Sequence, residues 1–187
     1  MSNAIGLRFV PYKEEKHLKC HFFGAPVLTP SMQDEFPLSV FFLGMIDLKR
    51  IASLDKGNRL PHQGYLYFFF DSKKGCRQLL PIVRYVAEEP TVIVDDFNDR
   101  LSVDEFKGID APCGVEFFEV EEDAERCKLL GVPCDWNYED KPERELLLTL
   151  DHYDDMLDFL PFLDGFTYIF FGEKDPFRDA KAFYEYS

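Results

Sequence analysis

The sequence has none of the short motifs that mark common enzyme and cofactor sites. It contains no Gly-x-Gly-x-x-Gly or phosphate-loop motif, and no serine stands in a Gly-x-Ser-x-Gly elbow. It has only four histidines, and none of its five cysteines forms a Cys-x-x-Cys pair. We therefore expect no cofactor and no metal, and the absence of a catalytic motif favours a non-enzymatic role over an enzyme.

Long apolar runs and targeting features are missing as well. No stretch approaches the roughly 20 apolar residues that span a bilayer. The start of the chain, Met1-Ser2-Asn3-Ala4, lacks the basic and apolar regions of a secretion signal. The odd number of scattered cysteines is typical of reduced thiols rather than of a disulfide framework. These features predict a cytoplasmic protein.

Basic residues are scarce relative to acidic ones. The chain has 21 Lys and Arg against 35 Asp and Glu, which gives a net charge of −14. Because nucleic acids and anionic membranes both attract clustered positive charge, we expect neither as a partner. The charge is compatible with a basic protein partner, and equally with a purely solubilising role.

Aromatic residues are abundant, although tryptophan occurs only once. The chain has 20 Phe and 9 Tyr, and aromatic side chains favour the half-buried surface of a pleated sheet. A hydrophobic fraction of 46% over 187 residues suits one folded unit. We therefore interpret residues 1–187 as a single domain.

An internal repeat is the clearest pattern. The segment Leu60–Gly64 is a Leu-Pro break followed by a glycine, after which comes the aromatic run Tyr65–Phe70. The same order returns in Leu160–Gly165 and Phe166–Phe171. Such breaks and apolar runs indicate a turn followed by a strand.

The residues before each break also match. An apolar run ends in an acid both at 38–47 and at 145–151, so the copies cover roughly 36–71 and 143–172. Because few residues separate the two runs of a copy, they should pair antiparallel, 38–46 beside 65–70 and 145–150 beside 166–171. Two copies suggest a pseudo-twofold arrangement.

The remaining segments predict an α+β fold with mostly antiparallel sheets. Helical character is expected in short segments and would cover the apolar strand faces. The predicted helical segments are 48–54, 102–106, 123–130 and 153–160, and the further predicted strands are 79–87, 91–94 and 115–120.

Asp47 and Asp151 occupy the same place in the two copies. Paired carboxylates can share a site and perform acid–base chemistry. Alternatively, each aspartate caps the helix that follows its strand by accepting backbone N–H groups. The position directly after a strand favours the cap.

Two groups of residues faintly resemble metal sites. His17, Cys20 and His21 would share one face of a helix, but no second cluster of ligands completes a zinc site. The acidic turn at 95–99 lacks the glycine and the glutamate of a calcium loop. Neither pattern predicts a bound metal.

Two acidic clusters are the best candidates for a partner surface, provided that they lie together. Clustered charges of one sign are most often solvated, but when they converge they attract a basic partner. The candidate partner-binding residues are Glu119, Glu121, Glu122, Asp154, Asp155 and Asp158.

Several short motifs resemble the YwqG-like family of bacterial proteins of unassigned function. They are Phe22–Leu28, Phe36–Leu38, Gly64–Phe70, Leu129–Pro133 and the closing repeat Leu147–Phe171. The resemblance implies an intertwined, pseudo-symmetric α+β protein. Some similar proteins belong to bacterial toxin–immunity systems, which would imply protein binding, and no catalytic residue is carried over.

Two function classes follow. The first is a non-enzymatic protein-binding module, with an immunity-type binder of a basic toxin as its specific form. The alternative is an enzyme or a small-ligand binder with a cleft between the repeat halves that uses Asp47 and Asp151.

Overall fold

The fold is known from a computed structural model, which describes residues 4–72, 79–98, 109–134, 144–151, 157 and 165–186. The described residues form twelve strands, one short α-helix, α1 (Glu14–His17), and two 3₁₀ turns, Pro30–Met32 and Leu48–Arg50. The strands are β1 (Ala4–Pro11), β2 (His21–Phe22), β3 (Val27–Leu28), β4 (Val40–Asp47), β5 (Tyr65–Asp71), β6 (Leu80–Val86), β7 (Val92–Ile93), β8 (Cys113–Val120), β9 (Lys128–Leu129), β10 (Leu146–Asp151), β11 (Gly165–Phe170) and β12 (Lys181–Tyr186).

The predicted α+β class is wrong, because the described chain is almost entirely β. The segment predicted as helix 123–130 forms turns and then β9, which lies between β1 and β10. An isolated helix of eight residues is marginal in water, whereas the sheet offers this segment backbone partners. The N–H of Leu7, for example, donates to the carbonyl oxygen of Cys127 at 2.9 Å.

The predicted helix 48–54 also differs from the structure. Within 48–54, only the 3₁₀ turn Leu48–Arg50 forms before irregular turns continue to Leu54. The segments 102–106 and 153–160 lie outside the described residues, apart from Leu157. The strands predicted at 79–87, 91–94 and 115–120 are confirmed as β6, β7 and β8.

Ten strands make one antiparallel sheet in the order β12-β11-β10-β9-β1-β8-β2-β4-β5-β6, and β3 pairs with β7 separately. The sheet is nearly closed, so its two outer strands approach each other. The hydroxyl of Tyr184 in β12 donates to the carbonyl oxygen of Leu79, directly before β6, at 2.7 Å. By curling, the sheet covers its own apolar face, which explains why helices are not needed for that purpose.

The pairings predicted from the repeat are confirmed. β4 pairs antiparallel with β5, and β10 pairs antiparallel with β11. Each of these hairpins carries a bulge near the start of its first strand, and each is extended by a third strand, β6 or β12.

The duplication reaches further than the predicted copies. His21 of β2 lies opposite Gly114, and Lys128 of β9 lies opposite Gly6. β2 therefore relates to β8 as β9 relates to β1, which makes the strand order symmetric about the central β1–β8 pair. Because β8 separates β1 from β2, and β1 separates β8 from β9, the two copies are intertwined.

Matching backbone turns confirm this wider equivalence. Phe23 and Gly24 follow β2 with φ values of 60° and 69°, and Leu130 and Gly131 follow β9 with 63° and 87°. The N–H of Phe23 donates to the carbonyl oxygen of Leu43 at the bulge in β4. In the same way, the N–H of Leu130 donates to the carbonyl oxygen of Leu147 at the bulge in β10. Non-glycine residues rarely adopt positive φ, so this pair of turns is a specific shared feature.

Candidate binding pocket

A pocket of about 390 Å³ lies between the first half of the described chain and the residues directly before β8. Its walls come from the segment that links β1 to β2, from the turn after β2, from β7 and the turn behind it, and from the residues that lead into β8. The residues important for its chemistry are Tyr12, Glu14, His21, Asp95, Asn98 and Asp110.

His21 forms the inner wall of the pocket. Its side chain is buried, with Nδ1 3.2 Å from the carbonyl oxygen of His17 and Nε2 3.1 Å from that of Ala25. Burial lowers the pKa of His21, whereas hydrogen bonds to the neighbouring carbonyl oxygens act in the opposite direction. The ring of Tyr12 packs edge-on against it at 5.7 Å between centroids.

Asn98 connects the pocket to the main sheet. Its Oδ1 accepts the N–H of Phe42 at 2.9 Å, next to the bulge in β4, and its Nδ2 donates to the carbonyl oxygen of Gly24 at 3.3 Å. Gly24 has φ +69°, and a Cβ there would lie 2.8 Å from Cβ of Pro112. The turn is thus held by buried polar contacts and leaves no room for a side chain.

The pocket mouth is acidic. Glu14 and Asp95 are exposed carboxylates with no ion pair among the described residues, and exposed Asp110 stands nearby. The pocket residues that the structure describes include no lysine and no arginine. Burial and then the charge of Glu14 raise the pKa of Tyr12, as expected in a negative environment.

The second copy holds a cation at the place of His21. Lys128 is buried, and its Nζ donates to the carbonyl oxygens of Glu122 at 2.6 Å and Ala124 at 2.8 Å. Burial lowers the pKa of this ammonium, and the two carbonyl oxygens compensate for lost hydration. The copies have therefore diverged, with an imidazole beside an open acidic pocket in one and a buried lysine in the other.

The predicted pair of aspartates is not brought together. Asp47 ends β4 and Asp151 ends β10, and four strands lie between them, about 24 Å along the sheet at roughly 4.8 Å per strand. Oδ1 of Asp47 accepts the N–H of Lys49 at 3.1 Å, so the predicted cap is confirmed there. The helix predicted after Asp151 lies outside the described residues, and neither aspartate lines the pocket.

The predicted partner residues are only partly described. Glu119 is exposed and forms an ion pair with Lys56 Nζ at 2.7 Å. Glu121 is exposed and Glu122 is half-buried, and both stand directly after β8. The remaining candidates, Asp154, Asp155 and Asp158, lie outside the described residues, so whether the two clusters converge stays a prediction.

The residues considered as metal ligands serve other purposes. Nδ1 of His17 accepts the N–H of Lys13 at 3.0 Å, and burial raises the pKa of the Cys20 thiol to about 11. Asp95 and Asp96 are exposed, whereas Asn98 points inward as described above; residue 99 is not described. Within the described ranges, no three His, Cys, Asp or Glu side chains are grouped to hold a metal ion.

Sequence reasoning missed Tyr12, Glu14 and Asp110 as pocket residues. A signal for the region was present, because the pattern Glu-Glu-x₄-Cys-x₃-Gly-x-Pro begins both at Glu14 and at Glu121. Each occurrence covers the connection into β2 or β9 and the left-handed turn behind it. The pattern would have located the equivalent segments, although not the pocket itself.

No family model matches the chain, and no curated protein or solved structure matches it either. The resemblance to the YwqG-like family therefore stays a prediction from sequence motifs. Within the part of the chain that the structure describes, no helix has the length and apolar character needed to cross a membrane.

Proposed function

We propose that this protein is a non-enzymatic binding module for a basic protein, and that the acidic pocket is part of its binding surface. The observation that carries the proposal is the exposed carboxylates of Glu14 and Asp95, which form no ion pair among the described residues and stand at the mouth of a pocket whose described residues include no lysine or arginine. The net charge of −14 favours the same class of partner. Sequestration of a basic toxin is the specific role that the family resemblance implies.

Electrostatics would act here mainly on association. Exposed carboxylates raise the local concentration of a positively charged partner and orient it before contact, which increases the association rate. At physiological ionic strength, screening limits this attraction to about 8 Å. Rate and salt dependence are therefore the informative measurements.

The experiment begins with a partner captured from the native host and then measures association kinetics over a range of salt concentrations. We expect Glu14→Lys together with Asp95→Lys to lower the association rate and to weaken its salt dependence. Glu145→Lys is the control, because this exposed glutamate lies outside the pocket. An association rate that ignores both salt and the pocket substitutions would contradict the proposal.

A further inference from the structure

We infer that the pocket receives an arginine side chain of the basic partner, an inference that rests on the function proposed above. The mouth offers the carboxylates of Glu14 and Asp95, whereas the walls offer the ring of Tyr12 and the aliphatic side chain of Ile93. Arginine combines a planar cation with an apolar stem, so it matches both kinds of surface.

The apolar part of the pocket argues against a small hydrated cation. Ile93 is 48% exposed, which is unusual among the large hydrophobic side chains of this protein, and Leu18 lines the same pocket. A methylene stem that packs against these side chains would remove apolar surface from water. The half-buried ring of Tyr12 provides the kind of surface on which a guanidinium stacks.

The second copy shows that this part of the fold accommodates a cation. Lys128 Nζ binds the carbonyl oxygens of Glu122 and Ala124 at the place equivalent to His21. In the first copy, the Nδ1 atom of His21 lies 3.2 Å from the matching carbonyl oxygen of His17. The first copy thus has a histidine in place of the lysine and presents an open pocket with carboxylates at its mouth.

Arginine fits this pocket better than lysine for geometric reasons. A guanidinium donates several N–H groups in one plane and can bind a carboxylate through two of them while its face covers an aromatic ring. The ammonium of lysine is a compact and strongly hydrated charge. It would therefore make less favourable contact with the aromatic ring and would fill less of the pocket, whose volume is about 390 Å³.

The test titrates the intact protein with a short neutral-capped peptide, acetyl-Gly-Arg-Gly-amide, while the NMR signals of the Tyr12 and His21 rings are followed. The control peptides replace arginine by citrulline, which has nearly the same shape without the charge, or by lysine. We expect the arginine peptide to shift both rings, the lysine peptide to bind more weakly and the citrulline peptide not to bind. Equal binding of the arginine and citrulline peptides would overturn the inference.

Matched variants locate the binding. We expect Glu14→Gln combined with Asp95→Asn to weaken the arginine peptide by about fivefold, since exposed ion pairs contribute modestly. Ile93→Ser should weaken both cationic peptides, and Glu145→Gln should change neither. Unchanged affinity in the double variant would place the peptide elsewhere and overturn the inference.

The two proposals fail in different ways. If a basic partner associates in the salt-dependent manner expected above but the arginine peptide never binds, the arginine assignment is wrong and the proposed function stands. If the peptide binds at the pocket while basic proteins show no salt-dependent association, the arginine site stands and the proposed function is wrong.

Discussion

Tyr67 and Tyr168 occupy equivalent positions in the two copies and make the same buried hydrogen bond. The hydroxyl of Tyr67 donates to the carbonyl oxygen of Val27 at 2.8 Å, and that of Tyr168 donates to the carbonyl oxygen of Cys134 at 3.1 Å. Each acceptor stands three residues after the glycine of a left-handed turn. Both tyrosines are fully buried. In each copy, the bond connects a core strand to the chain that follows the left-handed turn.

We expect Tyr67→Phe to lower the free energy of unfolding by about 1–2 kcal/mol. The substitution keeps the ring but leaves the carbonyl oxygen of Val27 without this buried donor, and an unsatisfied buried group costs about that much. Tyr168→Phe should cost at least as much, because its hydroxyl also contacts Glu185 at 3.1 Å. Urea unfolding measures both variants, with exposed Tyr85→Phe as the control, and a loss equal to the control would contradict the prediction.

The left-handed turn of the second copy should tolerate no side chain. Gly131 has φ +87°, and a Cβ there would lie 2.5 Å from the carbonyl oxygen of Glu122. We expect Gly131→Ala to destabilise the protein by about 2 kcal/mol or more, since strained φ and steric overlap add. Gly57→Ala is the control, because its nearest neighbour is the flexible side chain of Arg59 at 3.3 Å.

Thermal unfolding would compare these two glycine variants under the same conditions. A Gly131→Ala protein as stable as Gly57→Ala would show that the turn can relax. In that case the shared left-handed geometry would not be a requirement of the duplicated fold.

The sequence predicted the strands whose pattern is local and missed the features that depend on distant partners. The hairpins β4–β5 and β10–β11 were predictable because a Leu-Pro break, a glycine and an aromatic run lie close together in the chain. The segment 123–130 was predicted as a helix, but pairing of Leu129 with Ile5, far away in sequence, makes it a strand. Tertiary contacts commonly override weak local propensity in this way.

The pocket was not predictable for the same reason. Tyr12, Asp95 and Asp110 come from three separate segments that meet only when the sheet folds and the copies intertwine. Among the candidate residues, Asp47 was correctly expected to cap, whereas the idea of an Asp47–Asp151 pair ignored the four strands that separate them. A repeat in sequence indicates symmetry, but symmetry does not require equivalent residues to be close.

Stability should fall on acidification partly because of His21. Its folded-state pKa lies below the ordinary value of 6.5, so the unfolded chain binds the proton more readily. The resulting stability is present above about pH 6.5 and is lost as the pH falls through the lower folded-state pKa. We expect His21→Gln to flatten this part of the pH dependence, as measured by urea unfolding from pH 7.5 to about 5.

Half-buried His62 provides the matched control for the pH experiment, because its side chain is 35% accessible, contacts the buried Asp55 at 3.3 Å and does not line the pocket. We expect His62→Gln to leave the acid-side slope attributed to His21 in place. An identical slope in the parent and in His21→Gln would contradict the assignment and would place the titrating group elsewhere.

The two function classes assign different roles to Asp47. In a binding module it is a structural cap, whereas in an enzyme it would be a reacting carboxylate. Its Oδ1 accepts the N–H of Lys49 at 3.1 Å, a contact that an asparagine oxygen can also make. We therefore expect Asp47→Asn to keep nearly full stability, whereas Asp47→Ala should lose about 1 kcal/mol. Both variants should bind a basic partner as the parent does, because Asp47 does not line the pocket.

Urea unfolding and association kinetics measure these outcomes, and equal stability of the two variants would show that the cap contributes nothing. If Asp47→Asn instead abolished turnover of a small molecule by the intact protein while unfolding remained unchanged, Asp47 would be a reacting group and the non-enzymatic proposal would be wrong.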